Sequence, residues 1–210
     1  MGPGGSVVGA DLSVEQLVVA QREALARRLG RARFVASSVY GPGLARGRFD
    51  LVCCRSLLSH LSEPDQALRA LGALVKPGGT LVAEDIDMTT VWTDPPSAAY
   101  ERVTELFLSL AGTRGADYRV GSRLSDLFRE AGYGAPEVRS DQYVARTGEA
   151  KRYWEYTFLE VAPAMLEAGL ATRAEVDALA EELARLGTDD ETAIYQPRKT
   201  QAWAVRAAGR

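Results

Sequence analysis

His60 is the only histidine among the 210 residues. An imidazole ordinarily titrates near about pH 6.5, so it can take or give a proton near neutrality, and His60 is the natural candidate for a catalytic base. Three acids, Glu84, Asp85 and Asp87, crowd the far end of an apolar run, Thr80-Leu81-Val82-Ala83. Carboxylates at a strand end can orient an amine or a hydroxyl, and Asp85 is read as the one that faces a substrate. Other chemistries lack their residues. Cys53 and Cys54, the only cysteines, are neighbours in an apolar run, where successive side chains point to opposite faces, so a disulfide between them is excluded. Two adjacent cysteines and one histidine do not make an ordinary zinc site, and no metal is expected. The strained turn that exposes a hydrolase serine has no counterpart here. The cysteines read instead as reduced, buried thiols of a cytoplasmic protein.

These residues need elements to hold them. Phe49-Asp50-Leu51-Val52-Cys53-Cys54 is too short for a helix and reads as a strand buried on both faces. Ser62 with Asp65 suggests a capping box, and Pro64 suits a first helical turn. Ala67, Leu68, Leu71 and Leu74 follow at helical spacing. Pro77 cannot continue the helix, and Gly78 fits the positive φ of a type II turn. Thr80 to Ala83 is then a second strand, which completes a right-handed βαβ unit.

Earlier, Ser6 to Ala10 forms a strand that ends in Asp11. Ser13 and Gln16 cap a helix that Gly30 terminates, and Arg33 to Ala36 is the next strand. Beyond Asp87, Trp92 and Asp94-Pro95-Pro96 read as a loop. Tyr100, Val103, Phe107 and Leu110 mark one helix, and Gly121 to Ala131 another. Val138 to Ala145 is a single strand, and Gln201 to Val205 the closing, antiparallel one. Between these two, residues 149–187 hold a pair of helices. Trp154, Phe158, Val161 and Met165 recur at helical steps, and Thr172 with Glu175 caps the second helix. Such a stripe is first of all packing. If the pair closes as a lid, Trp154 and the off-stripe Tyr153 contact the substrate.

The stretch from Phe49 to Leu81 resembles the class I S-adenosylmethionine-dependent methyltransferases that act on small molecules. The matching pieces, in order, are Phe49-Asp50-Leu51-Val52, Arg55, Leu58, His60-Leu61, Pro64, Leu68 and Leu74 through Leu81 with the Lys76-Pro77-Gly78-Gly79 turn. The resemblance implies a Rossmann-like α/β sheet, mostly parallel with its last strand antiparallel and a helical insertion before it. It makes the two strands of the βαβ unit the fourth and fifth. S-adenosylmethionine would lie across the C-terminal ends of the strands, as ligands do in open α/β sheets. Asp11 falls where the family's acid accepts hydrogen bonds from the ribose hydroxyls, with Leu12 beside it. Two carboxylate oxygens suit a vicinal diol. Ser38, with Ser37, stands in the region where the family usually carries an acid for the adenine amino group. Arg55 and Ser56 line the cleft after the fourth strand.

One departure is large. The family's first strand and glycine-rich loop have no counterpart ahead of Ser6, and Gly4-Gly5 matches only the ordinary turn into the second strand. A valine often stands where Met1 is, so a Val codon read as a start is one explanation. The expectation is therefore a sheet truncated at its N-terminal side, with an open slot between Ser6–Ala10 and Phe49–Cys54, and weak cofactor binding. Homodimerisation is one way to fill such a slot.

A net charge of −3 argues against a nucleic-acid surface, and no apolar run is long enough to span a membrane. Two other readings stand beside a small-molecule methyltransferase. One is a non-catalytic methyltransferase-like scaffold or regulator. The other is a nucleotide-binding oxidoreductase, against which the Lys76 to Gly79 turn and the spacing of Arg55 and His60 count.

Overall fold

The computed structural model describes residues 4–207. The chain opens with strand β1 (Val7–Asp11), helix α1 (Val14–Ala26) and strand β2 (Ala32–Ala36). Ser13 caps α1, its Oγ accepting from the Gln16 N–H at 3.2 Å. A long loop leads to strand β3 (Phe49–Arg55), a 3-10 turn at Leu58–His60, helix α2 (Pro64–Leu74) and strand β4 (Val75–Asp87). The expected capping box at Ser62 is not formed. Glu63 is the N-cap without a side-chain hydrogen bond, and Pro64 opens the helix because its missing N–H would be unpaired there anyway. The expected turn at Lys76–Gly79 is taken up instead in the start of β4, where Gly78 has φ +77, a conformation that glycine adopts without strain.

β1 and β2 pair in parallel and stand alone. The main sheet has the order β3-β4-β9-β6, with β6 at Glu137–Asp141 and β9 at Arg198–Val205. β3 and β4 are parallel; β9 is antiparallel to both β4 and β6, so β6 runs with β4. The expected strands are therefore present, and every strand of this sheet but the last runs one way. Val8 pairs with Arg33 and Val52 with Leu81. Thus, among the described residues, β1 and β3 do not ladder with each other, and each keeps one edge without a partner strand.

Two expectations are corrected. The single strand at Val138–Ala145 breaks after Asp141. β6 stays in the main sheet, while β7 (Val144–Ala145) joins a small antiparallel sheet of order β5-β8-β7. Gln142 holds the break, its Nε2 donating to the carbonyls of Thr90 at 2.7 Å and Gln196 at 2.9 Å. The loop at Trp92 is in fact β5 (Trp92–Asp94), paired with β8 (Ala193–Tyr195), and Trp92 stacks on Tyr195 with ring centroids 3.6 Å apart. Strands of three residues carry too little pattern to be read from sequence.

Helices complete the two cores. α2 and α4 (Leu124–Glu130) press Leu68, Leu127 and Phe128 against Leu81, Ala83, Ala202 and Ala204 of the main sheet. α3 (Ala98–Thr113), α5 (Tyr153–Glu167) and α6 (Arg173–Thr188) gather Tyr100, Leu106, Trp154, Phe158, Met165 and Val176. Trp154, Phe158 and Met165 are buried as their spacing predicts, and Thr172 caps α6. The β1-α1-β2 unit stands apart in this respect: Ala24 is the only buried residue described before Leu58. On α1, Val14, Val18 and Leu25 form an exposed stripe beside the face that Leu17, Ala20 and Ala24 turn inward. No described helix is long and apolar enough to cross a membrane.

Candidate active site

β3 ends at Arg55, and Ser56 then adopts φ +48, a left-handed conformation uncommon outside glycine. The Ser56 N–H donates to the Glu84 carbonyl at 2.9 Å, which ties this turn to β4. The chain then coils through Leu58–His60. Leu58 anchors the coil in the core at 1% exposure and leaves His60 outside. The His60 Nδ1 lies 2.9 Å from the hydroxyl of Tyr118, and the two rings meet edge to face. Tyr118 comes from the segment after α3. Burial, with the charge of Asp85 next, pushes its hydroxyl above the usual phenol range, so it remains protonated at neutral pH. Phe107 packs edge-on against both Tyr118 and Trp154, with centroids 4.8 and 5.0 Å away. Tyr153 is exposed. The indole N–H of Trp154 is buried without a partner.

Asp85 does not face outward. It is fully buried, and its carboxylate accepts from the backbone N–H groups of Ser59 at 3.2 Å and Ile86 at 3.0 Å. Strand alternation explains this: Leu81, Ala83, Asp85 and Asp87 share the inward face of β4. Cys53, expected to be buried, is exposed on β3. Burial, with the Asp85 charge next, raises the Cys54 thiol to about 12, so it is inert near neutrality.

Asp87 belongs to a structural knot. Ser122 and Thr89 donate to its carboxylate, and Arg198 lies 3.4 Å away. Burial works against its ionisation, but these hydrogen bonds and the Arg198 charge outweigh it and hold the carboxyl below the usual range. A depressed carboxyl stabilises the fold above its unfolded value of about 3.9, and that contribution is lost as pH falls through the lower folded value. Asp87→Asn is therefore expected to lower the melting temperature at pH 7 and to flatten its fall between about pH 5 and pH 2. Parallel melts of the two proteins across that range check this.

The cofactor candidates lie on two separate pieces. Asp11 ends β1, is exposed, and uses one oxygen to accept from the Ser13 N–H at 2.8 Å, which leaves the other free. Leu12 is 77% exposed. Ser38 is half-buried, and its hydroxyl accepts from the Tyr40 N–H at 3.3 Å. Arg55 and Ser56 are exposed at the end of β3. The structure thus joins His60 to Tyr118, links Trp154 to Tyr118 through Phe107, ties Asp85 to the His60 turn through the Ser59 N–H, and keeps Asp11, Leu12 and Ser38 on the first unit. Tyr118 escapes sequence reading because it meets His60 from 58 positions away with no local motif. Among the described residues no group of acids, cysteines and histidine is placed to hold a metal ion.

A twisted, mostly parallel sheet with chemistry at its strand ends defines an open α/β, cofactor-binding type of fold. Comparison with known proteins narrows this. Residues 2–81 match the family model of the methyltransferase domain. A putative methyltransferase from Bacillus halodurans superposes with a TM-score of 0.63 at 16% identity, over 97% of this chain and 84% of that one. Phosphoethanolamine N-methyltransferase 2 of Haemonchus contortus, solved with S-adenosylhomocysteine, gives 0.56 at 15% identity over 98% of this chain and 44% of its own. The ubiquinone biosynthesis O-methyltransferase of Leptothrix cholodnii is 29% identical over 158 residues, 72% of this chain and 63% of the enzyme. An uncharacterised Synechococcus protein is 32% identical over 124 residues, 58% of this chain and 28% of its own. The chain thus spans less than two thirds of these two curated relatives. Residues 2–81 thus match the methyltransferase domain in sequence, and the fold is similar to that of solved methyltransferases over nearly the whole chain.

Proposed function

We propose that the protein transfers the methyl group of S-adenosylmethionine to a hydroxyl of a small-molecule acceptor, with His60 as the base. The observation that carries this is the hydrogen bond between His60 and Tyr118 at the C-terminal end of β3. When Nδ1–H donates to the Tyr118 oxygen, Nε2 is left with a free lone pair on the exposed side of the ring. A base is needed where the acceptor must lose a proton, as a hydroxyl must. The name of the Leptothrix relative, an O-methyltransferase, agrees with this choice.

Asp11 would hold the ribose diol through its free oxygen, with Leu12 alongside. The Ser38 hydroxyl would meet the adenine, and Arg55 and Ser56 would border the methionine end. The cofactor supplies a methyl group already activated on a sulfonium, so the protein's part is to align the acceptor and take its proton. Tyr153 and Trp154 would border the acceptor, under α5 and α6 acting as a lid.

The test is transfer of label from methyl-labelled S-adenosylmethionine to a panel of phenols and catechols, extracted and counted. Label in the extract that disappears in His60→Ala supports the reading. Undiminished label in that variant contradicts it.

A further inference from the structure

Asp85 is an acid whose cost to the fold is not offset by a cation. It is fully buried, and none of the ion pairs among the described residues includes it. A buried carboxylate without a charge partner is expensive, and a sequence free to choose would place an apolar residue there. What the carboxylate does hold is specific. Its Oδ2 accepts from the N–H of Ser59, the residue before His60. The Ser59 carbonyl in turn accepts from the N–H of Asp117 at 2.9 Å, the residue before Tyr118. The Tyr118 carbonyl accepts from the N–H of Met88 at 2.8 Å, just beyond β4. The circuit therefore runs from β4 to the His60 turn, on to the Tyr118 segment, and back to β4. Asp85 provides the side-chain link between β4 and the His60 turn. The turn following Tyr118 is pressed onto the same place, since a Cβ on Gly121 would lie 2.6 Å from the Ile86 carbonyl carbon.

We propose that Asp85 is a positioning residue: it fixes the Ser59 backbone so that His60 and Tyr118 meet in one geometry and one tautomer. This rests on His60 being the base only for its consequence in catalysis; the clamp itself stands on the hydrogen-bond circuit. A carboxylate suits the place because its two oxygens accept from both the Ser59 and Ile86 N–H groups. An amide has one accepting oxygen and would set its own N–H donors against one of them.

The single histidine makes the test direct. In the ¹⁵N-labelled 210-residue chain, the imidazole nitrogens seen by NMR belong to His60 alone. The wild type should show one tautomer, with Nδ1 protonated and Nε2 not. In Asp85→Asn both nitrogen signals should move toward the average of a freely exchanging imidazole, as in Tyr118→Phe. Asp87→Asn is the control, another buried acid on the same strand, bonded to Thr89, Ser122 and Arg198 rather than to the His60 turn. It should lower the melting temperature and leave the His60 signals in place. If Asp85→Asn does not fold, Asp85→Ser is read the same way. Ring signals unchanged in the folded Asp85 variant, or moved as far in Asp87→Asn, would overturn the proposal. With catechol as probe acceptor, the rate at saturation should fall about tenfold with KM little changed, as expected when a group acts through another rather than on substrate. If His60→Ala retains activity while the NMR result holds, the base assignment fails and the clamp stands.

Discussion

Replacing His60 with alanine is expected to lower the rate of methyl transfer by about 10²–10⁴-fold, the usual contribution of a positioned general base. The loss should appear in kcat, because the imidazole sits on the exposed side of its turn, while Leu58, two residues earlier, anchors the turn in the core. Melting temperature should therefore change little. Tyr118→Phe is the companion. It keeps the ring that packs on Phe107 but removes the hydroxyl 2.9 Å from Nδ1. One hydrogen bond of about 0.5–1.5 kcal/mol corresponds to a loss of about tenfold at most. The two losses should not multiply, since without His60 the hydroxyl has nothing left to orient. A double variant slower than His60→Ala by a further tenfold would contradict the pairing. Stopped assays at saturating S-adenosylmethionine, with label counted in the extracted acceptor, separate these outcomes.

The second large effect is on cofactor affinity. In the described residues β1 and β3 each offer an unpaired edge, and the unit carrying Asp11 buries little beyond Ala24. Val7 on β1, Leu51 on β3 and the Val14, Val18 and Leu25 stripe of α1 are all exposed. An added parallel strand would pair with both edges, and a helix after it would cover the stripe. By the family resemblance, the loop between them brings backbone N–H groups to the cofactor. The 210-residue chain alone should bind S-adenosylmethionine weakly. The same chain extended with a strand, a glycine loop and a helix should bind more than about tenfold tighter, equivalent to about 1.4 kcal/mol. It should also show slower amide exchange in β1 and α1, because their opening would then cost more. Equal affinity with and without the extension would contradict the slot.

Much of this was open to sequence reading because short apolar runs bounded by Gly and Pro are informative. β1, β2, β3 and β9 fall within a few residues of their expected places, as does the Ser13 cap. What escaped has physical causes. β5 and β8 are three residues each, and the break at Gln142 depends on carbonyls 52 and 54 positions away. Ser62 was outcompeted as a cap because Pro64 sets where the helix begins. The direction of Asp85 is legible from parity: it shares that of Leu81 and Ala83, and a strand keeps that parity regardless of charge. Tyr118 was not legible at all, since only the packing of the segment after α3 on the His60 turn brings it to the ring.

The central claim is that S-adenosylmethionine lies across the ends of β1 and β3 with its ribose on Asp11. Isothermal titration of S-adenosylhomocysteine into the extended chain and its Asp11→Ala variant tests this most directly. The account predicts saturable one-to-one binding that weakens at least about tenfold in the variant, as when a charged hydrogen-bond partner worth about 1.5–3 kcal/mol is removed. Binding that is tight and unchanged in Asp11→Ala, or no binding by either protein, would contradict it.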